Sequence, residues 1–197
     1  MRIPMKKGPA VCAVLLVVTF ALPAFGAGGT VEGKVEAMPA KYLEDTVVYL
    51  KNVPGTYPPK TAEMDQKGMK FVPHLLVITV GDTVKFLNHD HLQHNVFSPD
   101  GGYNLGTWGY DGTKDQTFKK EGGFSQLCSL HPEMLGYVFV GQNPHSAAVD
   151  QRGHFVLKDV PPGAYQIAVW NPHLKAPEQR VTVAAGKSQK IDFALKR

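Results

Sequence analysis

The sequence predicts an all-β protein made of two sandwiches, and three observations carry that expectation. Beyond the first 26 residues no apolar pattern with a 3.6-residue period persists. Short runs of alternating apolar and polar residues recur instead, separated by Gly, Pro, Asn and Asp. The 20 Gly and 15 Pro among 197 residues suit many short strands joined by turns. The length allows one large domain or two small ones, and 43% hydrophobic with 19% charged residues is an ordinary globular composition.

Taken in order, the chain opens on an export leader over residues 1–26. Arg2, Lys6 and Lys7 precede a nearly uninterrupted apolar run from Ala10 to Phe25, and Ala24-Phe25-Gly26 supplies small residues at the two positions a signal peptidase reads. The run is shorter than the ~20 residues a spanning helix needs, so we expect cleavage after Gly26 rather than a retained anchor. A periplasmic or secreted protein with no stable membrane span follows. Without Arg2, Lys6 and Lys7, 18 basic residues face 17 acidic ones, a net charge of +1 in place of +4. No basic patch interleaved with aromatics remains, which excludes nucleic-acid binding.

Gly29 to Val35 and Thr46 to Leu50 are expected strands, and Asn52 to Lys60, with three prolines and a glycine, is an expected linker. In the block from 57 to 141, strands are expected at Leu75–Val80, Thr83–Leu87, Val96–Phe97, Thr117–Phe118, Phe124–Cys128 and Tyr137–Val140. Gly81-Asp82 forms a turn, and Gly101 to Gly112 reads as a glycine- and aromatic-rich loop. The last block adds strands at Gly153–Leu157, Ala164–Trp170, Gln179–Val183 and Lys190–Leu195.

The chemistry is concentrated in Cys128-Ser129-Leu130-His131-Pro132-Glu133-Met134, which offers a thiolate, an imidazole and a thioether within seven residues. His94 lies upstream in His-Asn-Val-Phe-Ser. Two His, one Cys and one Met are the ligand set of a blue-copper centre: thiolate and thioether favour Cu(I), and imidazole suits either oxidation state. Cys12 belongs to the leader, so Cys128 has no disulfide partner in the exported chain and needs another role.

The Cys-x2-His-x2-Met spacing, with Pro132 after the His, resembles the short ligand loop of amicyanin, a cupredoxin. Met69 to Pro73, Val80 to Asn88 and His94-Asn95-Val96 resemble that family in order and spacing as well. The resemblance covers residues 57–141 and implies a Greek-key cupredoxin sandwich. It implies one type 1 copper ion held by His94, Cys128, His131 and Met134, with Asn95 tying the two ligand loops together. It also implies a solvent-near His131 within an apolar docking patch of Leu130, Pro132 and Leu135.

Two features depart from the pattern. Gln126 stands where amicyanin has an aromatic two residues before its Cys; it either hydrogen-bonds within the site or marks a bulged strand. His89 and His91 crowd the turn before His94 and have two readings: solvated loop residues, or a second or alternative metal site with His91 replacing or supplementing His94. Trp108 and Tyr110 either shield the site or simply pack. His74, His145, His154 and His173 read as structural, and Met38, Met64 and Met69 are too dispersed for a copper-trafficking motif.

Gly153-x-Phe155 and Asp159-Val160-Pro161-Pro162-Gly163-x-Tyr165 resemble the carboxypeptidase regulatory-like family, a small transthyretin-like sandwich. Its opening strands match residues 28–53, so we expect a discontinuous domain of 28–53 and 144–197 with the cupredoxin inserted; two consecutive domains are the alternative. The resemblances together imply an electron carrier between redox proteins such as a dehydrogenase and a c-type cytochrome, with methylamine utilisation one context. The alternative is a copper chaperone or sensor. No enzyme is expected, because only one copper domain is present and neither a nucleophile triad nor a carboxylate pair is evident.

Overall fold

A computed structural model describes residues 28–197. The leader and its expected cleavage point lie outside the described residues. Strand β1 (Gly29–Ala37) leads through a 3-10 helix (Ala40–Asp45) to β2 (Val47–Lys51). Next come β3 (Thr61–Gln66), β4 (Phe71–Val72), β5 (Leu75–Thr79), β6 (Thr83–Asn88), β7 (His94–Ser98) and β8 (Tyr103–Trp108). They are followed by β9 (Thr113–Thr117), β10 (Gly122–Leu127) and β11 (Leu135–Gly141). The order ends with β12 (Ser146–Ala148), β13 (His154–Val160), β14 (Gly163–Trp170), β15 (Gln179–Val183), β16 (Ser188–Lys190) and β17 (Phe193–Leu195). Among the described residues no helix is long and apolar enough to cross a membrane.

Four sheets make two sandwiches. The central one stacks β5-β11-β10-β7-β8 against β4-β3-β6-β9. The flanking one stacks β13-β1-β16, with β17 also on β1, against β12-β2-β14-β15. Strand β1 takes Leu157 opposite Val31 on one side and Gln189 on the other, while β2 lies between β12 and β14. The ladder partners of residues 28–53 therefore come from beyond residue 144, and the central sandwich is enclosed in sequence by the flanking one.

Alternation explains how each strand seats itself. In β6, Val84, Phe86 and Asn88 are buried and the residues between them are half-exposed, the period-2 pattern of a strand with one face on a core. The turn into β6 needs Gly81, whose φ of 97° is disfavoured for a side chain. Asp82 locks that turn by accepting hydrogen bonds from the Lys60 and Thr79 backbone N–H groups at 2.7 and 2.8 Å. Strand β11 is buried on both faces. Val138 and Val140 enter the central core, whereas Tyr137 and Phe139 turn to Trp170 of the flanking sandwich, with ring centroids 5.6 Å away in each case. Tyr49 of β2 meets Phe139 at 4.9 Å, so an aromatic layer joins the sandwiches.

Several expected elements shift. The stretch from Gly101 to Gly112 contains β8, paired with β7 from His94↔Trp108 to Ser98↔Tyr103, and is not a loop throughout. The expected strand at Thr117–Phe118 runs over Thr113–Thr117, because Thr83 to Leu87 of β6 pair antiparallel with those residues. The last expected strand divides into β16 and β17, which pair with successive parts of β1.

Candidate metal centre

The site forms at one end of the central sandwich. His94 opens β7, and Cys128 and His131 lie in the connection between β10 and β11. That connection tightens because the Met134 N–H donates to the His131 carbonyl at 2.9 Å. The structure brings three of the four expected residues together. His94 Nδ1 is 3.0 Å from His131 Nδ1 and 4.0 Å from Cys128 Sγ, and Sγ is 3.7 Å from His131 Nδ1. A point equidistant from the corners of that triangle lies about 2.1 Å from each, and metal bonds to imidazole nitrogen and thiolate sulfur run about 2.0–2.3 Å. Donor type and spacing therefore fit a soft-to-borderline ion. Met134 is fully buried and packs in the same apolar cluster as Cys128.

Neighbouring groups orient these donors. The Asn95 backbone N–H donates to Cys128 Sγ at 3.4 Å, a contact that fixes the sulfur against β7. The Asn95 side chain accepts from the Ser129 N–H at 3.2 Å and donates to Asn104 Oδ1 and the Gly106 carbonyl. It thus ties β7, β8 and the Cys128 connection into one unit. Asp90 holds His94 from behind: its Oδ2 is 2.8 Å from Nε2. A carboxylate on the outer nitrogen leaves Nδ1 for a metal. Desolvation pushes the Asp90 carboxyl upward, but the Met69 and Gly68 N–H groups and the His94 imidazole outweigh it and hold the group below the usual carboxylate range.

The two departures from the expected pattern resolve. Strand β10 pairs with β11 without a shift from Gly122↔Val140 to Leu127↔Leu135, so no bulge is present in that ladder. Gln126 is fully buried; its Oε1 accepts from the Tyr103 hydroxyl and its Nε2 donates to the Phe124 carbonyl. It serves the core and not the sulfur. His89 has Asp65 at 2.8 Å on Nδ1 and Asp111 at 3.7 Å on Nε2, while His91 stacks on Tyr110 at 4.6 Å. Neither joins the His94–Cys128–His131 group. Trp108 packs in the central core.

Residues 60–157 match the family of copper binding proteins of the plastocyanin/azurin type, and residues 138–196 match the carboxypeptidase regulatory-like domain. The chain combines a cupredoxin domain with a carboxypeptidase regulatory-like domain. The two matches overlap over 138–157, where β11 belongs to the cupredoxin sheet and β12 and β13 to the flanking sandwich. A purple cupredoxin from Nitrosopumilus maritimus is 26% identical over 41% of this chain and 99% of its own, with a TM-score of 0.38. A reduced amicyanin point mutant is 29% identical over 41% of this chain and 82% of its own, with a TM-score of 0.38. A copper-containing nitrite reductase from Thermus scotoductus is 27% identical over 47% of this chain and 24% of its own, with a TM-score of 0.39. No curated protein matches the chain.

Proposed function

We propose that this cupredoxin is an exported type 1 copper protein that carries single electrons between redox partners, with one ion held by His94, Cys128, His131 and Met134. The observation that carries the reading is the triangle of two Nδ1 atoms and one Sγ, closed from behind by Asp90 and Asn95. When bound, copper supplies a reversible one-electron couple between Cu(II) and Cu(I). The protein's part is to keep the donors in one arrangement. Asp90 fixes the His94 tautomer and ring angle, the Asn95 N–H holds the Cys128 sulfur in place, and the buried Met134 thioether would supply a fourth donor. His94 and Cys128, at 0% and 3% exposure, are shielded from water.

Contact with a partner falls to His131. It is the half-exposed member of the set, and Leu130 and Leu135, 49% and 37% exposed, flank it on the surface. An apolar rim around one accessible imidazole suits transient docking of another redox protein, such as a c-type cytochrome or a dehydrogenase. The amicyanin-like ligand loop puts a quinoprotein amine dehydrogenase among the donors to be tried. The buried thiolate and imidazole disfavour the chaperone reading, which needs donors that an exchanging partner can reach.

Adding Cu(II) to the purified protein is expected to give an intense blue thiolate charge-transfer band and narrow copper hyperfine splitting in EPR. Cys128→Ala abolishes the band, and His91→Ala leaves it intact. A pale, ordinary Cu(II) spectrum from the unmodified protein, or loss of colour in His91→Ala, would overturn the assignment.

A further inference from the structure

Among the described residues a second cluster of donors converges at the seam between the sandwiches, and the copper reading makes no use of it. Asp45 ends the 3-10 helix at 6% exposure, and each of its carboxylate oxygens faces an imidazole. Oδ1 is 2.8 Å from His74 Nε2, and Oδ2 is 3.8 Å from His173 Nε2. Glu44 adds a carboxylate: donor atoms of Glu44, Asp45 and His74 lie within 4.8 Å of one another. These residues come from three places, the 3-10 helix, the β4–β5 connection of the cupredoxin and the β14–β15 connection of the flanking sandwich.

The rings are already held in place. His173 stacks on Tyr42 at 4.1 Å with 30° between planes, and its backbone N–H donates to Asn171 Oδ1 at 2.9 Å. Asn171 Nδ2 in turn donates to the Tyr42 carbonyl at 2.7 Å. His74 stands edge-on to Tyr137 at 5.7 Å. Both Nε2 atoms are thereby aimed at one buried carboxylate.

We propose that Glu44, Asp45 and His74 form a second metal site, for a divalent ion that takes nitrogen and oxygen donors, Zn2+ in particular, with His173 as a positioning residue that faces the other oxygen of Asp45. With a neutral imidazole the three side chains carry two negative charges, which a divalent ion balances. The set has no sulfur and so differs in softness from the Cys128 centre. Tetrahedral ligands at about 2.0–2.2 Å from Zn2+ stand about 3.3 Å apart; Asp45 Oδ1 and His74 Nε2 stand 2.8 Å apart, and the donor atoms of Glu44, Asp45 and His74 all lie within 4.8 Å of one another. The ion replaces the proton shared between His74 Nε2 and Asp45, which leaves to solvent. Because the donors come from both sandwiches, occupancy fixes one against the other.

The test is independent of copper. The Cys128→Ala/His131→Ala variant of the full chain lacks two donors of the first centre; calorimetry with Zn2+ alone is expected to show one equivalent bound. His74→Gln, which removes a ligand, should abolish it, and His173→Gln, which only frees Asp45 on its other side, should weaken it about tenfold. His154→Gln, at an exposed His–Asp pair elsewhere, should leave it unchanged. His173 is exposed enough to be replaced without loss of the fold, so it carries the test should His74→Gln misfold. Absence of the equivalent, unchanged affinity in His173→Gln, or equal losses in His154→Gln would overturn the proposal.

Discussion

The two sandwiches bury different things. Val31, Leu50, Phe155, Ile167 and Phe193 belong to an aliphatic and aromatic core in the flanking sandwich. Of the buried polar side chains of the flanking segments, Asp45 meets His74 of the cupredoxin, Asn143 lies where the chain crosses from β11 to β12, and Thr46 is bonded within the flanking sandwich. The cupredoxin instead buries Gln66, Asp82, Asn88, His94, Asn95, Ser98 and Gln126. A buried polar group costs stability unless it is partnered, and each of these side chains makes at least one hydrogen bond, although Gln66 Oε1 has no partner among the described residues. Polar burial is thus concentrated in the domain that must present donors, and the flanking domain contributes apolar rigidity.

The largest expected effect tests that division directly. Ile167 is fully buried in the flanking core, and Ile167→Ala should lower unfolding stability by about 2–5 kcal/mol in chemical denaturation. If the flanking sandwich only supports the site, the blue band of the copper-loaded protein stays where it was. A shifted band would show that the two cores are not separate. A smaller effect is expected at the aromatic seam. A Cβ on Gly123 would lie 2.0 Å from the Trp170 ring, so Gly123→Ala should cost about 1–3 kcal/mol through overpacking. Trp170→Ala should relieve most of that cost. Additive losses in the double variant would mean that the seam gives way without strain.

Most of the architecture was legible because strands with one buried face carry the period-2 signal, as in Thr83–Asn88 and His154–Leu157. The ligand loop was legible because Cys128, His131 and Met134 sit within one short segment. What was hidden depended on partners distant in sequence. Thr61–Gln66 reads as a polar stretch because only Met64 and Gln66 turn inward; it becomes β3 by pairing with β6. Tyr103–Trp108 is masked by glycines and forms a strand because β7 offers it an edge. Gln126 made sense only once Tyr103 was seen across the core. Asp90 stands four residues before His94, a spacing that a reader looking for outer-nitrogen partners would notice. Asp45 and His74 are 29 residues apart, and nothing local links them.

The smallest expected effect is a pH dependence that belongs to the flanking sandwich and leaves the copper site aside. His145 lies where the chain crosses from β11 to β12, and burial pushes its pKa below the ordinary imidazole value, against the opposing Lys158 carbonyl and Asp159 charge. A histidine with a depressed folded-state pKa binds fewer protons folded than unfolded. Its contribution to stability is therefore complete above the unfolded value of about 6.5 and declines as pH falls toward the folded one. Denaturation midpoints between about pH 8 and about pH 5 should drop less for His145→Gln than for the unmodified protein, with the two curves converging in shape at the alkaline end. Equal slopes would place the acid sensitivity of this fold in other groups and leave the flanking core without a titrating element of its own.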